Sequence, residues 1–432
     1  MTEAFLQYIW AQRLYSSASL QTTAGDLVEI LNPGCLNTDA GPDFFNAQLR
    51  HNGMTWAGNV EIHVSSDDWF RHGHDSDPAY DNVILHVVAI STGREVRTSK
   101  GNAIPEAVLH FDPQLEARYR QLLSTGGPSF VRCADSLAHV PSVLLTAWLD
   151  ALLVERMDLK SAKATEFFHL FNGDVDQAFF CLLARALGSK VNAEPMELLA
   201  RQTPLKVLLK HNNPLQSEAL LLGQAGILNS APDDDYVLTL RREYSFLKTK
   251  FNLEPPLAPD AWRYARLRPQ NFPDLRIAQL SATIRALPGN FNSALSLPLD
   301  NILTVRPSQY WDNHFRLGVP SPQFRSKQLG SSARRLVMIN CVIPFAIAEA
   351  NRYADEAKRE AAFEVLKSIP MEQNSVLDGW QSVGITPQNE ADAQALIHLK
   401  NNYCDKNECL RCRFGHYAIS HGFSPIPRAN IT

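Results

Sequence analysis

Long apolar runs are missing from this chain. No segment approaches the roughly 18 uninterrupted apolar residues that a membrane-spanning helix needs, so the sequence carries no expectation of a membrane partner. A basic excess is missing too. Forty-one Lys and Arg stand against 45 Asp and Glu, a net charge of −4. That excludes a surface basic all over but not a local basic groove, because net charge is silent about distribution. The opening Met1-Thr2-Glu3-Ala4-Phe5 lacks the basic start and apolar stretch of a secretory leader. The expectation is a cytoplasmic protein. Cysteine is scarce and odd in number, seven in 432 residues. In a reducing compartment such residues are thiols or metal ligands before they are disulfides. No fixed-period repeat occurs, which argues against a solenoid.

What is present is ordinary for a globular protein: 45% apolar and 20% charged residues. The length exceeds one usual domain, so two or three are expected. Residues 5–14 show helical apolar spacing. Strands follow at Leu27–Leu31, Phe44–Arg50, Met54–Val64, Asn82–Ile90 and Ala107–Phe111. Asn52-Gly53 between the second and third strands is a strong hairpin signal, since both residues tolerate positive φ. Ser65 to Asp68 offers helix caps before Trp69. Beyond about residue 140 the pattern becomes almost wholly helical, beginning with Val143–Met157 and continuing near 175–187, 196–210, 214–227, 236–250, 273–287, 332–352, 355–367 and 389–402. Residues 289–331 are poor in helical signal. The fold class is therefore α+β: an N-terminal α/β domain, 1–135, followed by a mainly α-helical region, 136–432. The latter is divisible into 136–290 and 291–432 and ends in a cysteine-rich stretch, 404–416.

Asp43, Glu61 and His63 are the candidate catalytic cluster. Phosphodiester cleavage with a divalent metal needs hard oxygen ligands on rigid elements and a group that handles the attacking water. Asp43 opens one strand and Glu61 lies on the next, across the Asn52-Gly53 hairpin. Glu61 and His63 are two apart and share a strand face. Mg²⁺ or Mn²⁺ would suit the two carboxylates. The plain alternative is a half-exposed strand with a solvated face. Histidines crowd the same region: His51, His63, His72, His74 and His86 fall within 36 residues, where an even spread of 13 would put about one. His72, His74 and His86 thus form a possible additional metal site, although His86, inside an apolar run, also reads as a core histidine with a partner.

Pro42-Asp43 and Glu61-Ile62-His63 resemble the signature of the PD-(D/E)XK nuclease superfamily, whose restriction-endonuclease-like core runs helix, three strands, helix, strand (αβββαβ). The resemblance covers about the first 110 residues. It implies Asp43 and Glu61 as metal ligands, with the Ile62 carbonyl beside them, and nucleic acid as substrate. His63 departs from the pattern, standing where the family has lysine. An imidazole can act as base or ligand but cannot offer lysine's fixed charge. Across its length the chain is also similar to an uncharacterised bacterial domain family. That likeness is carried by Asn37–Phe44, Gly58–His63, Trp69, His72-Gly73-His74, Tyr80–Val88, Arg268-Pro269 and Asn271-Phe272-Pro273, and it implies no activity.

Cys404, Cys409 and Cys412, with His416 four residues on, have the spacing of a structural zinc site. The three cysteines with a distant fourth, such as Cys341, would instead suit an iron–sulfur cluster. The plain reading is a loop with free thiols. Arg263, Arg266, Arg268 and Arg276 surround Trp262, Tyr264 and Phe272. Arg316, Arg325, Lys327, Arg334 and Arg335 occur with no acidic residue between Asp312 and Glu349. Arginine forks and aromatic faces suit phosphates and bases, and solvated helix faces look the same in sequence. Three functions follow: a metal-dependent nuclease acting on DNA in preference to RNA, a catalytically degenerate nucleic-acid-binding or scaffold protein, and a histidine-rich transition-metal hydrolase.

Overall fold

The computed structural model describes residues 1–124, 129–211, 213–287, 303–371 and 373–422. The chain divides into two compact units. The first comprises residues 1–146, 379–385 and 399–432, and the second residues 147–378 and 386–398.

The first unit is built on a sheet. Thr2 caps the opening helix, α1 (Glu3–Ala11), accepting a hydrogen bond from the Phe5 amide. Then come β1 (Ser19–Gln21), β2 (Leu27–Asn32), β3 (Cys35–Leu36), β4 (Phe44–His51) and β5 (Met54–Ser65). Asn52 and Gly53 make the β4–β5 turn with φ of 49° and 77°, the doubly left-handed turn that matches strand twist. A short helix, α2 (Asp68–Arg71), leads through a loop to β6 (Val83–Ile90), β7 (Glu106–Val108) and α3 (Pro113–Ser124). The helix, three principal strands, short helix, two strands order expected from the sequence is present. β1 and β3, too short to show a period, are additions to it.

The strand order is β1-β2-β4-β5-β6-β7, with β3 paired to β4. β4 and β5 are antiparallel, whereas β5–β6 and β6–β7 are parallel. Parallel strands are covered on both faces. Accordingly Val60, Glu61, Ile62 and His63 are all buried, as are Leu85, His86, Val87 and Val88. The solvated strand face offered as the plain alternative is therefore not what the structure shows. Register sets Glu61 beside His86, and His86 beside Glu106. With period two, Glu61, His63, His86 and Glu106 share one face. Trp69, fully buried, and Tyr80 pack over it.

The second unit is helical around one apolar core that includes Phe167, Phe179, Phe180, Leu220, Ile277, Trp311 and Phe345. Its helices include Val175–Leu187, Pro214–Gln224, Asp235–Phe251 and Pro273–Ala286. The helical stretch Ser331–Tyr353 is long and apolar enough to pass a membrane-span test on length and composition. Its Cys341, Val342, Ile343 and Phe345 are buried in the protein core. A π-helical turn, Met338–Val342, sits just before Pro344, where proline has no amide for the ordinary helical bond. Part of the helix-poor stretch read in the sequence, and the 290/291 division, lie outside the described residues. Its described remainder, 303–330, holds a 3-10 turn, Gln309–Asn313, and the short strand pair His314–Arg316 and Val319–Pro320.

Candidate functional site

The first unit gathers histidines and carboxylates at the β5–β6 face. Glu106 Oε2 lies 3.1 Å from His86 Nδ1, and His86 Nε2 lies 2.9 Å from His63 Nδ1. For neutral imidazoles beside an ionised Glu106, one proton assignment fits these distances. A carboxylate accepts, so His86 Nδ1 donates. His86 Nε2 then accepts, so His63 Nδ1 donates. His63 Nε2 is left with a lone pair. It points at His72 Nδ1, 3.3 Å away, and at Glu61 Oε1, 3.4 Å away. Glu61 Oε1 is also 3.3 Å from His74 Nε2. Burial, then His86, His74 and His72, push the His63 imidazolium down to about 2, so His63 is neutral at any working pH. A neutral lone pair facing a carboxylate oxygen is repulsive unless a positive charge lies between them.

One ligand atom from each of His63, His72 and His74 lies within 4.8 Å of the others, a group able to hold a metal ion. His63 and His74 are buried and His72 is exposed, so the group has one open side. Tyr80 stacks on the His74 ring with centroids 3.7 Å apart. The edge lengths fit the chemistry. Metal–imidazole bonds of about 2.0–2.1 Å arranged tetrahedrally put ligand atoms about 3.3–3.4 Å apart. The His63–His72, His63–Glu61 and His74–Glu61 separations are 3.3, 3.4 and 3.3 Å.

Asp43 and Glu61 are brought together as the hairpin register requires. The Asp43 amide donates to Glu61 Oε2 at 3.0 Å, and the Ile62 amide donates to Asp43 Oδ2 at 3.0 Å. Gln7 of α1 donates to Asp43 Oδ1 at 2.8 Å. Burial, followed by the Glu61 charge, raises the Asp43 carboxyl to about 7. Glu3 is raised by burial and then by Glu61. Burial and then Glu61 raise the Tyr80 phenol to about 12. Burial would raise Glu106 as well, but hydrogen bonds from His86 and Ser91 hold it below the usual carboxylate range.

The structure thus unites Asp43, Glu61, His63, His72 and His74. His86 takes the second of the two places read for it in the sequence, a core histidine with a partner, between Glu106 and His63 and behind the histidine group. Glu106, Tyr80, Gln7 and Glu3 escaped the sequence reading. Glu106 had one available signal: it and His86 are polar residues set among apolar ones in neighbouring strands, and each such residue needs a mate.

The other candidates divide. Cys404, Cys409 and Cys412 converge, and Cys133 joins them around a small pocket. His416 does not. Its Nδ1 is 2.6 Å from the Tyr8 hydroxyl. Cys341 is buried in the helical core of the second unit. Arg276 is buried, donating to Gln279 Oε1 and Asn271 Oδ1, and Lys327 is buried with its amine on the Asp312 and Arg325 carbonyls. These two sit on no open surface, because the apolar core needs their neighbours closed over them. Arg263, Arg266, Arg268 and Arg325 are exposed. Arg316, also exposed, lies over the Tyr264 ring. Arg334 and Arg335 are half-buried.

Fold and site together define an α+β protein whose sheet carries a buried histidine group able to bind a metal. A family profile described as protein of unknown function (DUF2851) matches residues 3–375, and the chain belongs to that family. No curated protein and no solved structure matches the chain.

Proposed function

We propose that the chain is a metal-dependent hydrolase acting on phosphodiesters, with a divalent transition-metal ion held by His63, His72 and His74. The observation that carries this reading is the 3.3–3.4 Å frame of ring nitrogens and Glu61 Oε1. Imidazole ligands favour zinc or iron over the magnesium that a purely carboxylate site would take. Bound there, the ion supplies Lewis acidity and makes water a nucleophile near neutral pH.

The protein's own groups do the rest. Glu106 and His86 fix the His63 tautomer and turn its Nε2 toward the ion. Asp43 holds Glu61 Oε2 through its amide, which leaves Oε1 facing His63 and His74, where it would serve as a further ligand or as a base toward water. The Asp43 carboxyl, beside it, shares that negative charge. The phosphodiester as substrate is supported by the likeness of the helix–strand order and the Asp43–Glu61 pairing to the nuclease core. Exposed Arg263, Arg266, Arg268 and Arg325 are of the type that contacts nucleic-acid phosphates, DNA being the first substrate to test.

The test uses the full chain, stripped of metal and reloaded with Zn²⁺, Mn²⁺, Fe²⁺ or Mg²⁺. The expected outcome is one tightly bound transition metal at the histidine group of each chain and cleavage of plasmid DNA, single-stranded DNA or a nitrophenyl phosphodiester. Both should be lost in His72→Ala and His74→Ala. A well-folded, metal-loaded chain that cuts none of these overturns the hydrolase reading. That outcome favours a second one, a purely structural metal in a scaffold protein. Glu61 Oε1 at the fourth corner supports it, because four protein ligands would leave a tetrahedral ion closed.

A further inference from the structure

We propose that Cys133, Cys404, Cys409 and Cys412 hold a cubane-type iron–sulfur cluster that closes the first unit. Three of these cysteines have ligand-like spacing in the sequence, and the fourth comes from a distant part of the chain. All four line one small cavity of ≈ 20 Å³, with Val131, Arg132, Tyr403, Glu408 and Gly415. Cys133 and Cys412 are buried, Cys404 and Cys409 are half-buried, and no disulfide joins them.

Backbone geometry presents the sulfurs from four chain turns. Cys133 precedes the short helix Ala134–Leu137, and Cys404 ends the π-helical turn Lys400–Cys404. Cys409 opens the 3-10 turn Cys409–Arg411, and Cys412 precedes the helix Arg413–His421. Gly415 allows this packing. A Cβ there would meet the Cys409 carbonyl oxygen at 2.1 Å. Four thiols gathered around one cavity without a disulfide are the arrangement that a bound metal centre requires of its ligands.

Spacing decides between ions. A single tetrahedral zinc with bonds of about 2.3 Å holds its sulfurs about 3.8 Å apart. Among the described residues the ligand group packed within 4.8 Å is the histidine one. The four cysteines instead line a shared cavity, as thiolates do around a cluster. Arg132 and Lys400 supply positive charge toward Cys409 and Cys404. His416 does not line the cavity, and its Nδ1 meets the Tyr8 hydroxyl. Tyr8 is next to Gln7, which holds Asp43. The cluster therefore pins the C-terminal helix against the element that steadies the candidate metal centre. The two sites are independent in their ligands, and either proposal stands if the other fails.

The experiment is iron and acid-labile sulfide analysis of the full chain, purified without oxygen and reconstituted with iron and sulfide. The expected result is about four of each per chain, with broad visible absorption that bleaches on reduction. Cys133→Ser should lose at least nine-tenths of the iron, while Cys341→Ser, Cys35→Ser and His416→Ala keep it. One zinc and no sulfide in the wild-type chain, or no iron after reconstitution, overturns the proposal whether or not any variant folds. So does full iron in Cys133→Ser, or iron loss in His416→Ala.

Discussion

The two units bury polar groups in opposite ways. In the second, Glu218, Asp274 and Gln177 each meet complementary partners. Glu218 receives the Ser308 amide and hydroxyl, the Tyr236 hydroxyl and the Trp311 indole N–H. Asp274 receives the Tyr264 hydroxyl and the Leu317 amide. Gln177 donates to the Ala200 carbonyl and accepts from the Leu205 amide. In the first unit, acceptors face acceptors at His63 and Glu61, and thiols face thiols at Cys133. These three networks of the helical unit are closed by protein atoms, although single atoms elsewhere in it, such as His211 Nε2 and Arg276 Nε, are buried without a partner, whereas the histidine group of the sheet unit converges several ligand atoms on one point. A buried polar cluster that completes itself reads as architecture. One that does not reads as a site.

That contrast can be broken experimentally, and the largest effect is expected at the histidines. His63→Ala should abolish metal binding at the histidine group and reduce hydrolysis to background, read by zinc content and phosphodiester turnover. Full metal content in this variant would remove the contrast. Glu218→Ala should leave metal content unchanged yet destabilise the second unit by about 3 kcal/mol or more, because several buried donors lose their acceptor. Denaturant unfolding measures it, and a loss below about 1 kcal/mol would show that the network is not closed by protein alone.

A smaller effect is expected one step behind the metal. Glu106→Gln keeps the shape but weakens the acceptor that fixes His86 and, through it, His63. Metal affinity should fall about 10–100-fold, measured by competition with a chelator. An unchanged affinity would mean that the His86–Glu106 pair is core packing only.

The smallest effect concerns pH. Lys160 in the second unit donates to Asn340 Oδ1. Burial, then the neighbouring Arg156, lower its amine from 10.5 to about 7. Between those values the unfolded chain binds the proton and the folded chain does not. Stability should therefore rise with pH from about 7 to 10.5 and be flat below. Lys160→Met should flatten that slope, as seen in unfolding midpoints across the window. A slope unchanged in the variant would assign it to other groups.

Much of the first unit was legible because its signals are local. Asn52-Gly53 announced its turn, and alternation placed Glu61 and His63 on one face. The apolar run through His86 announced a doubly covered strand. The second unit was legible as helices, though not in their ends: the expected helix at 196–210 is two, Ala193–Gln202 and Leu205–Leu208, broken at Pro204. The site was legible in membership more than in role. Arg276 and Lys327 looked like surface charges because sequence shows charge but not cover. His86, inside its apolar run, was legible as buried, and it is fully buried behind the site while His72 is exposed at its edge.

Chain-local physics determined the strand order, the hairpin, the helical half and the crowding of histidines, since turn chemistry and periodicity act over a few residues. Tertiary structure alone decided which nitrogen faces which. The parallel register of β5, β6 and β7 sets Glu106 behind His86 and His86 behind His63, and pairing between strands distant in sequence leaves no trace in either one. The same holds for Cys133, which only long-range packing brings to Cys404, Cys409 and Cys412.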